Sequence, residues 1–74
     1  MTEKILQIIG EALQVPVNIE TSQANCYKWD SLQHLYLIAS LEDVFDITFA
    51  PEDIVSMKSV KDIEKFIKGY LSKP

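Results

Sequence analysis

WDSLQHLYLIASLEDVFDI, residues 29–47, is the stretch on which the fold turns. Asp30 has the side chain of a helix N-cap, and Gln33 stands where a capping box takes Glu or Gln. Beyond the cap, Leu32, Leu35, Ile38, Leu41 and Phe45 recur at helical spacing. Leu37, Ala39 and Val44 widen the apolar surface past a single stripe. The pattern predicts a helix from Asp30 to about Phe45, with Leu32 turned into the core. Asp46-Ile47-Thr48-Phe49 then reads as a connector.

Upstream, Ile5, Leu6, Ile8, Ile9, Ala12 and Leu13 predict a helix over Thr2 to Gln14, with Thr2 as its cap. Pro16 ends it, because it disfavours a helical Val15 and has no N–H to donate. Val15 to Trp29 reads as a long polar loop, with Val17, Ile19 and Tyr27 as apolar anchors on the core. Downstream, Pro51 suits the first turn of a short helix through Glu52, Asp53 and Ile54 to about Met57. Ser59 caps a last helix whose buried face is Val60, Ile63, Phe66, Ile67, Tyr70 and Leu71, with Gly69 weakening its final turn. Three longer helices, one short helix and a long first loop make an all-α chain. A small four-helix bundle is expected, as a single domain over residues 1–74 and as a monomer.

Composition narrows the function. Seventy-four residues build one domain with a modest core and leave little room for a deep catalytic pocket. No apolar run is long enough to span a membrane, and no signal peptide is apparent, so a cytoplasmic location is expected. The single cysteine, Cys26, fits a reducing compartment and is expected to be half-buried and inert. The net charge of −4 disfavours nucleic acid, and with it a helix-turn-helix DNA binder. Between Trp29 and Met57 lie Asp30, Glu42, Asp43, Asp46, Glu52 and Asp53 with no Lys or Arg. From Lys58 onward five lysines face only Asp62 and Glu64. The acidic middle is either a docking face for basic partners or an ordinary solvated surface.

Ser31 is the residue with chemistry to offer. It sits just inside a helix start, where unpaired N–H groups and the positive end of the dipole favour an anion. The bland alternative is an ordinary capping serine. Asp30, Ser31 and His34 together invite a hydrolytic triad. They would crowd one helix end without an enclosed pocket or oxyanion donors, so a small hydrolase is disfavoured. His34 is expected at the surface, and Trp29 as a loop anchor on the core or, alternatively, a partner contact. One histidine and one cysteine argue against a metal site.

The run Asp30-Ser31-Leu32, followed by Ile38-Ala39-Ser40-Leu41-Glu42-Asp43-Val44-Phe45-Asp46-Ile47, resembles the second helix of acyl carrier proteins. Ile47, Pro51-Glu52-Asp53 and Val60 match the positions that follow, and the resemblance runs from Tyr27 to Ile67. It implies that Ser31, flanked by Asp30 and Leu32, receives 4′-phosphopantetheine from coenzyme A. A separate phosphopantetheinyl transferase with Mg²⁺ would do this, so the carrier itself is not an enzyme. The arm would hold acyl or aminoacyl cargo as a thioester for fatty acid, polyketide or other specialised biosynthesis. The resemblance further implies acyl-loading and acyl-accepting partners with basic patches, docking on Leu32, Leu35, Glu42, Asp43, Asp46, Glu52 and Asp53. A cargo cleft between the second and third helices would involve Leu35, Ala39, Ile54 and Met57; the same four fit a packed core equally well. Two features depart from the family. Lys28 and Trp29 stand where glycine and a small residue are common, and Gln33, Tyr36 and Val44 where acids are common. These departures point towards a stand-alone carrier of a specialised pathway. The alternative to a carrier is a helical interaction module with no prosthetic group.

Overall fold

Ile5, Ile9 and Leu13 lie one helical turn apart and are all buried, which fixes the inward face of α1 (Thr2–Leu13). The remaining helices of the computed structural model, which describes residues 1–72, are α2 (Ser31–Phe45), α3 (Pro51–Ser56) and α4 (Val60–Leu71). α1 packs on α2 and touches α4. Its buried line meets Leu37, Ile38 and Leu41 of α2, and Val60, Ile63 and Ile67 of α4, in one core closed by Trp29, Phe49 and Met57. Each large apolar side chain removed from water contributes about 1.5–3 kcal/mol, so this cluster carries the stability. Among the described residues no strand forms; Ser22 and Ser59 make an isolated antiparallel bridge.

Local chemistry sets the helix ends. Gln14 closes α1 in the left-handed conformation at φ 61°, its N–H bonding to the Gly10 carbonyl. A side chain at Gly10 would meet the Val15 carbonyl at 3.3 Å, so glycine lets the chain fold back tightly there. Ser59 caps α4 by accepting from Asp62 N–H at 3.0 Å, as its position in the sequence suggests. Thr2 does not cap α1. Met1 holds that position, and the Thr2 hydroxyl instead donates to the Glu64 carboxylate of α4.

The long loop is built by its polar residues. Asn18 Oδ1 accepts from Glu20 N–H at 2.8 Å, and Asn25 Oδ1 accepts from Ser22 N–H at 2.9 Å, each stabilising a turn. Gln23 N–H donates to the Lys58 carbonyl, and Val60 N–H to the Thr21 carbonyl. These bonds fasten the loop to the α3–α4 connection. Val17 and Ile19 pack against the core as expected, and Trp29 is its deep anchor. Tyr27 is not an anchor: it is 88% exposed, with the Lys28 ammonium 6.0 Å from its ring centroid.

α2 buries Ile38 and Leu41 of its expected stripe but not Leu32 and Leu35. Leu32 and Leu35 are 58% and 59% exposed, while His34, Leu37, Ile38 and Leu41 are buried. The helix carries leucines on nearly every side, so apolar spacing alone does not choose its inward face. In α4, Leu71 likewise lies at the surface, while Phe66 and Tyr70 are half-buried.

Candidate functional site

Asp30 takes up an extended backbone conformation, and its Oδ1 accepts from Gln33 N–H at 2.9 Å. Its own carbonyl accepts the first helical bond, from His34 N–H at 2.8 Å. Asp30, not Ser31, is therefore the N-cap, and the reading of Ser31 as a mere cap loses its basis. Ser31 is the first residue of α2 and is exposed to solvent. The N–H groups of this first turn and the helix dipole favour negative charge beside it.

A shallow cleft of about 320 Å³ opens next to Ser31, lined by Gln23, Ser31, His34, Leu35, Ile54 and Val55. The backbone bond of Gln23 to Lys58 brings the long loop to one edge; α3 forms the other. Of the expected cleft residues, Leu35 and Ile54 line it. Ala39 is exposed along α2, and Met57 is fully buried in the core. Gln23 and Val55 were not legible as site residues, because a backbone bond and a helix turn place them rather than any motif.

His34 is not at the surface but 7% exposed. Trp29 Nε1–H donates to its Nδ1 at 2.9 Å, and its Nε2 lies 2.8 Å from the Ile54 carbonyl oxygen. An indole nitrogen only donates and a carbonyl only accepts. The imidazole is therefore neutral, with its proton on Nε2, and donates to Ile54. Both ring nitrogens are engaged away from Ser31, so His34 cannot serve it as a base, and the hydrolytic triad fails on geometry.

The acids divide into two groups. Asp43, Asp46 and Glu52 are exposed, and Asp46 also closes α2 in the left-handed conformation at φ 54°. Glu42 turns back to accept from Phe49 N–H at 2.8 Å. Asp53 accepts from the Tyr70 hydroxyl at 2.6 Å, and the same hydroxyl oxygen accepts from Ala50 N–H at 2.8 Å. The Asp53 bond raises Tyr70 above the ordinary tyrosine range, and the Ala50 N–H opposes it more weakly. Leu32, Leu35, Tyr36 and Val44 of α2 and Val55 of α3 are large apolar side chains left exposed. Cys26 is half-buried against the core. No helix among the described residues is long and apolar enough to cross a membrane.

A group joined to the chain through a phosphodiester needs an exposed hydroxyl, a field that favours an anion, and adjoining space. Ser31 and its cleft meet all three. Comparison with known proteins shows the family. The family model for the phosphopantetheine attachment site matches residues 3–67. The acyl carrier protein of Syntrophobacter fumaroxidans is 37% identical over 70 residues, covering 90% of this chain and 86% of that protein. The acyl carrier protein of Syntrophus aciditrophicus is 31% identical over 71 residues, covering 92% and 89%. The solution structure of holo acyl carrier protein from Geobacter metallireducens superimposes with a TM-score of 0.83 at 27% identity, covering 96% of this chain and 85% of that one. With the family model spanning most of its length and two relatives above 30% identity, the chain belongs to the acyl carrier protein family: it is a carrier rather than an enzyme, with 4′-phosphopantetheine as its covalent prosthetic group.

Proposed function

We propose that Ser31 is the attachment residue and that the chain carries acyl cargo between the enzymes of one biosynthetic route. The observation that carries this reading is the division of labour at the start of α2. Asp30 caps the helix, and the neighbouring Ser31 hydroxyl stands exposed at an anion-favouring end beside an open cleft. When bound, the prosthetic group supplies a thiol on a long arm, where cargo is held as a thioester. The arm raises the effective concentration of cargo at each enzyme the carrier visits.

The family works with a phosphopantetheinyl transferase and with acyl-handling enzymes. For this chain the docking face is the exposed side of α2 with the first turn of α3. Asp43, Asp46 and Glu52 supply charge, and Leu32, Leu35 and Tyr36 supply apolar contact. Contacts of exposed acids with basic patches are weak and salt-sensitive, which suits a carrier that must release each partner. Tyr36 and Val44 make this face less acidic than is common in the family, which supports a specialised route over general fatty acid synthesis.

The test is intact-protein mass after incubation with coenzyme A, Mg²⁺ and a promiscuous phosphopantetheinyl transferase. A gain of one phosphopantetheine in the parent and none in Ser31→Ala is expected. A gain that persists in Ser31→Ala overturns the assignment of the serine. No gain from folded, initially unmodified parent overturns the carrier reading.

A further inference from the structure

We propose that His34 is a specificity-determining residue: tied to Trp29 and Ile54, it shuts the passage from the Ser31 cleft into the bundle and confines the carrier to short or polar acyl cargo held at the surface. This rests on Ser31 being the attachment point. The cleft beside Ser31 has His34 and Ile54 in its walls, and the two are joined by the 2.8 Å bond from Nε2 to the Ile54 carbonyl. The core that the cleft would have to reach is closed to solvent: Leu37, Leu41, Met57 and Val60 are fully buried in one cluster. A hydrocarbon chain entering between α2 and α3 must part that bond. It would leave a buried imidazole N–H without a partner and the Ile54 carbonyl with only its longer bond from Met57 N–H at 3.4 Å, and hydrocarbon offers neither an acceptor nor a donor in exchange.

The ring cannot swing aside cheaply. Trp29 is 3% exposed, donates to Nδ1 at 2.9 Å and lies stacked beside the imidazole at 27° between planes. Nor is α3 loose on its other side, where Tyr70 holds both Ala50 and Asp53. Trp29 and His34 are therefore a matched pair. The indole that stands in place of a small residue supplies the donor that a buried histidine needs.

The experiment loads acetyl and octanoyl groups from their coenzyme A thioesters with a promiscuous transferase. It compares the parent with His34→Ala, His34→Gln and Trp29→Phe. Three quantities are read: intact mass, the rate at which hydroxylamine releases each acyl group, and the Met57 methyl resonance. In the parent the two acyl groups should be released at similar rates, with the Met57 methyl unmoved. In His34→Ala the octanoyl group should be protected on the order of tenfold relative to acetyl, as expected when it is sheltered about nine-tenths of the time. The Met57 methyl should then shift. His34→Gln keeps a donor for Ile54 and should behave as the parent. Trp29→Phe frees the ring and should show partial protection; it gives the answer if His34→Ala does not fold. Protection of octanoyl in the parent, or its absence in every folded variant that breaks the tie, overturns the proposal while loading itself succeeds. Failure to load any protein, or loading that survives Ser31→Ala, would instead overturn the carrier or attachment reading.

Discussion

Tyr70, near the end of α4, donates its hydroxyl hydrogen to Asp53 of α3 across 2.6 Å. The same oxygen accepts from Ala50 N–H, and the ring stands edge-on to Phe49 with centroids 5.0 Å apart. One side chain thus holds both the start of α3 and the connector before it. The bond to Asp53 favours the protonated phenol and raises its pKa above the ordinary value of 10.0. The unfolded chain then loses its tyrosine proton first as pH rises. This contribution to stability is complete below about pH 10 and is lost as pH climbs through the raised folded value. Tyr70→Phe should lower the melting temperature at neutral pH, and the gap from the parent should narrow at alkaline pH. Thermal melts of both proteins from neutral to strongly alkaline pH check this; a constant gap would contradict it.

Asp30→Ala removes the side chain that satisfies the Gln33 N–H. Loss of an N-cap of this kind costs about 1 kcal/mol. In a domain of this size that is a fall of roughly 4–8 °C in Tm. Asp30→Asn keeps the acceptor and should melt close to the parent. Differential scanning calorimetry of the unmodified proteins separates the cap from any effect of charge on loading.

The helices were legible where one face is apolar and the other is not. In α1 and α4 the residues at helical spacing, such as Ile5, Ile9, Ile63 and Ile67, are the ones that are buried. The caps Asp30 and Ser59 were legible too, because short polar side chains at those positions have one strong use. The inward face of the first two turns of α2 was not. Leu32 and Leu35 look like core residues, and His34 looks like a surface residue, until Trp29 and Ile54 satisfy both nitrogens of its ring. That pairing joins a loop, a helix start and a short helix, which no local pattern announces. The exposed place of Ser31 at the start of α2 was legible from its neighbours, whereas the cleft beside it was not. The cleft depends on where Gln23 is carried by its backbone bond to Lys58.

Gly69 lies inside α4, and a Cβ built there meets nothing within 4 Å. Gly69→Ala should stabilise the protein by about 0.5–1 kcal/mol, since glycine costs helix stability through backbone entropy. Gly10→Ala should gain less, because its Cβ would press on the Val15 carbonyl at 3.3 Å. Urea unfolding of the two variants side by side orders them. A larger gain at Gly10 would show that the fold-back after α1 is looser than the contact implies.

Adjacent acids on α2 should answer differently to the same substitution. Glu42 accepts the backbone N–H of buried Phe49, so Glu42→Ala strands that donor at a cost of about 1–3 kcal/mol. Asp43 is exposed, and Asp43→Ala should change stability by no more than about 0.5 kcal/mol. For partner binding the order should reverse. Asp43→Lys should weaken association with a basic partner such as the transferase, and the loss should shrink as salt rises, since exposed charges are screened. Glu42→Gln keeps an acceptor for Phe49 and changes charge alone, so it isolates what the Glu42 charge adds to docking. Melting temperatures with binding titrations at low and high salt read both quantities. If Asp43→Lys leaves affinity unchanged at low salt, docking on this face is carried by Leu32, Leu35 and Tyr36 rather than by charge.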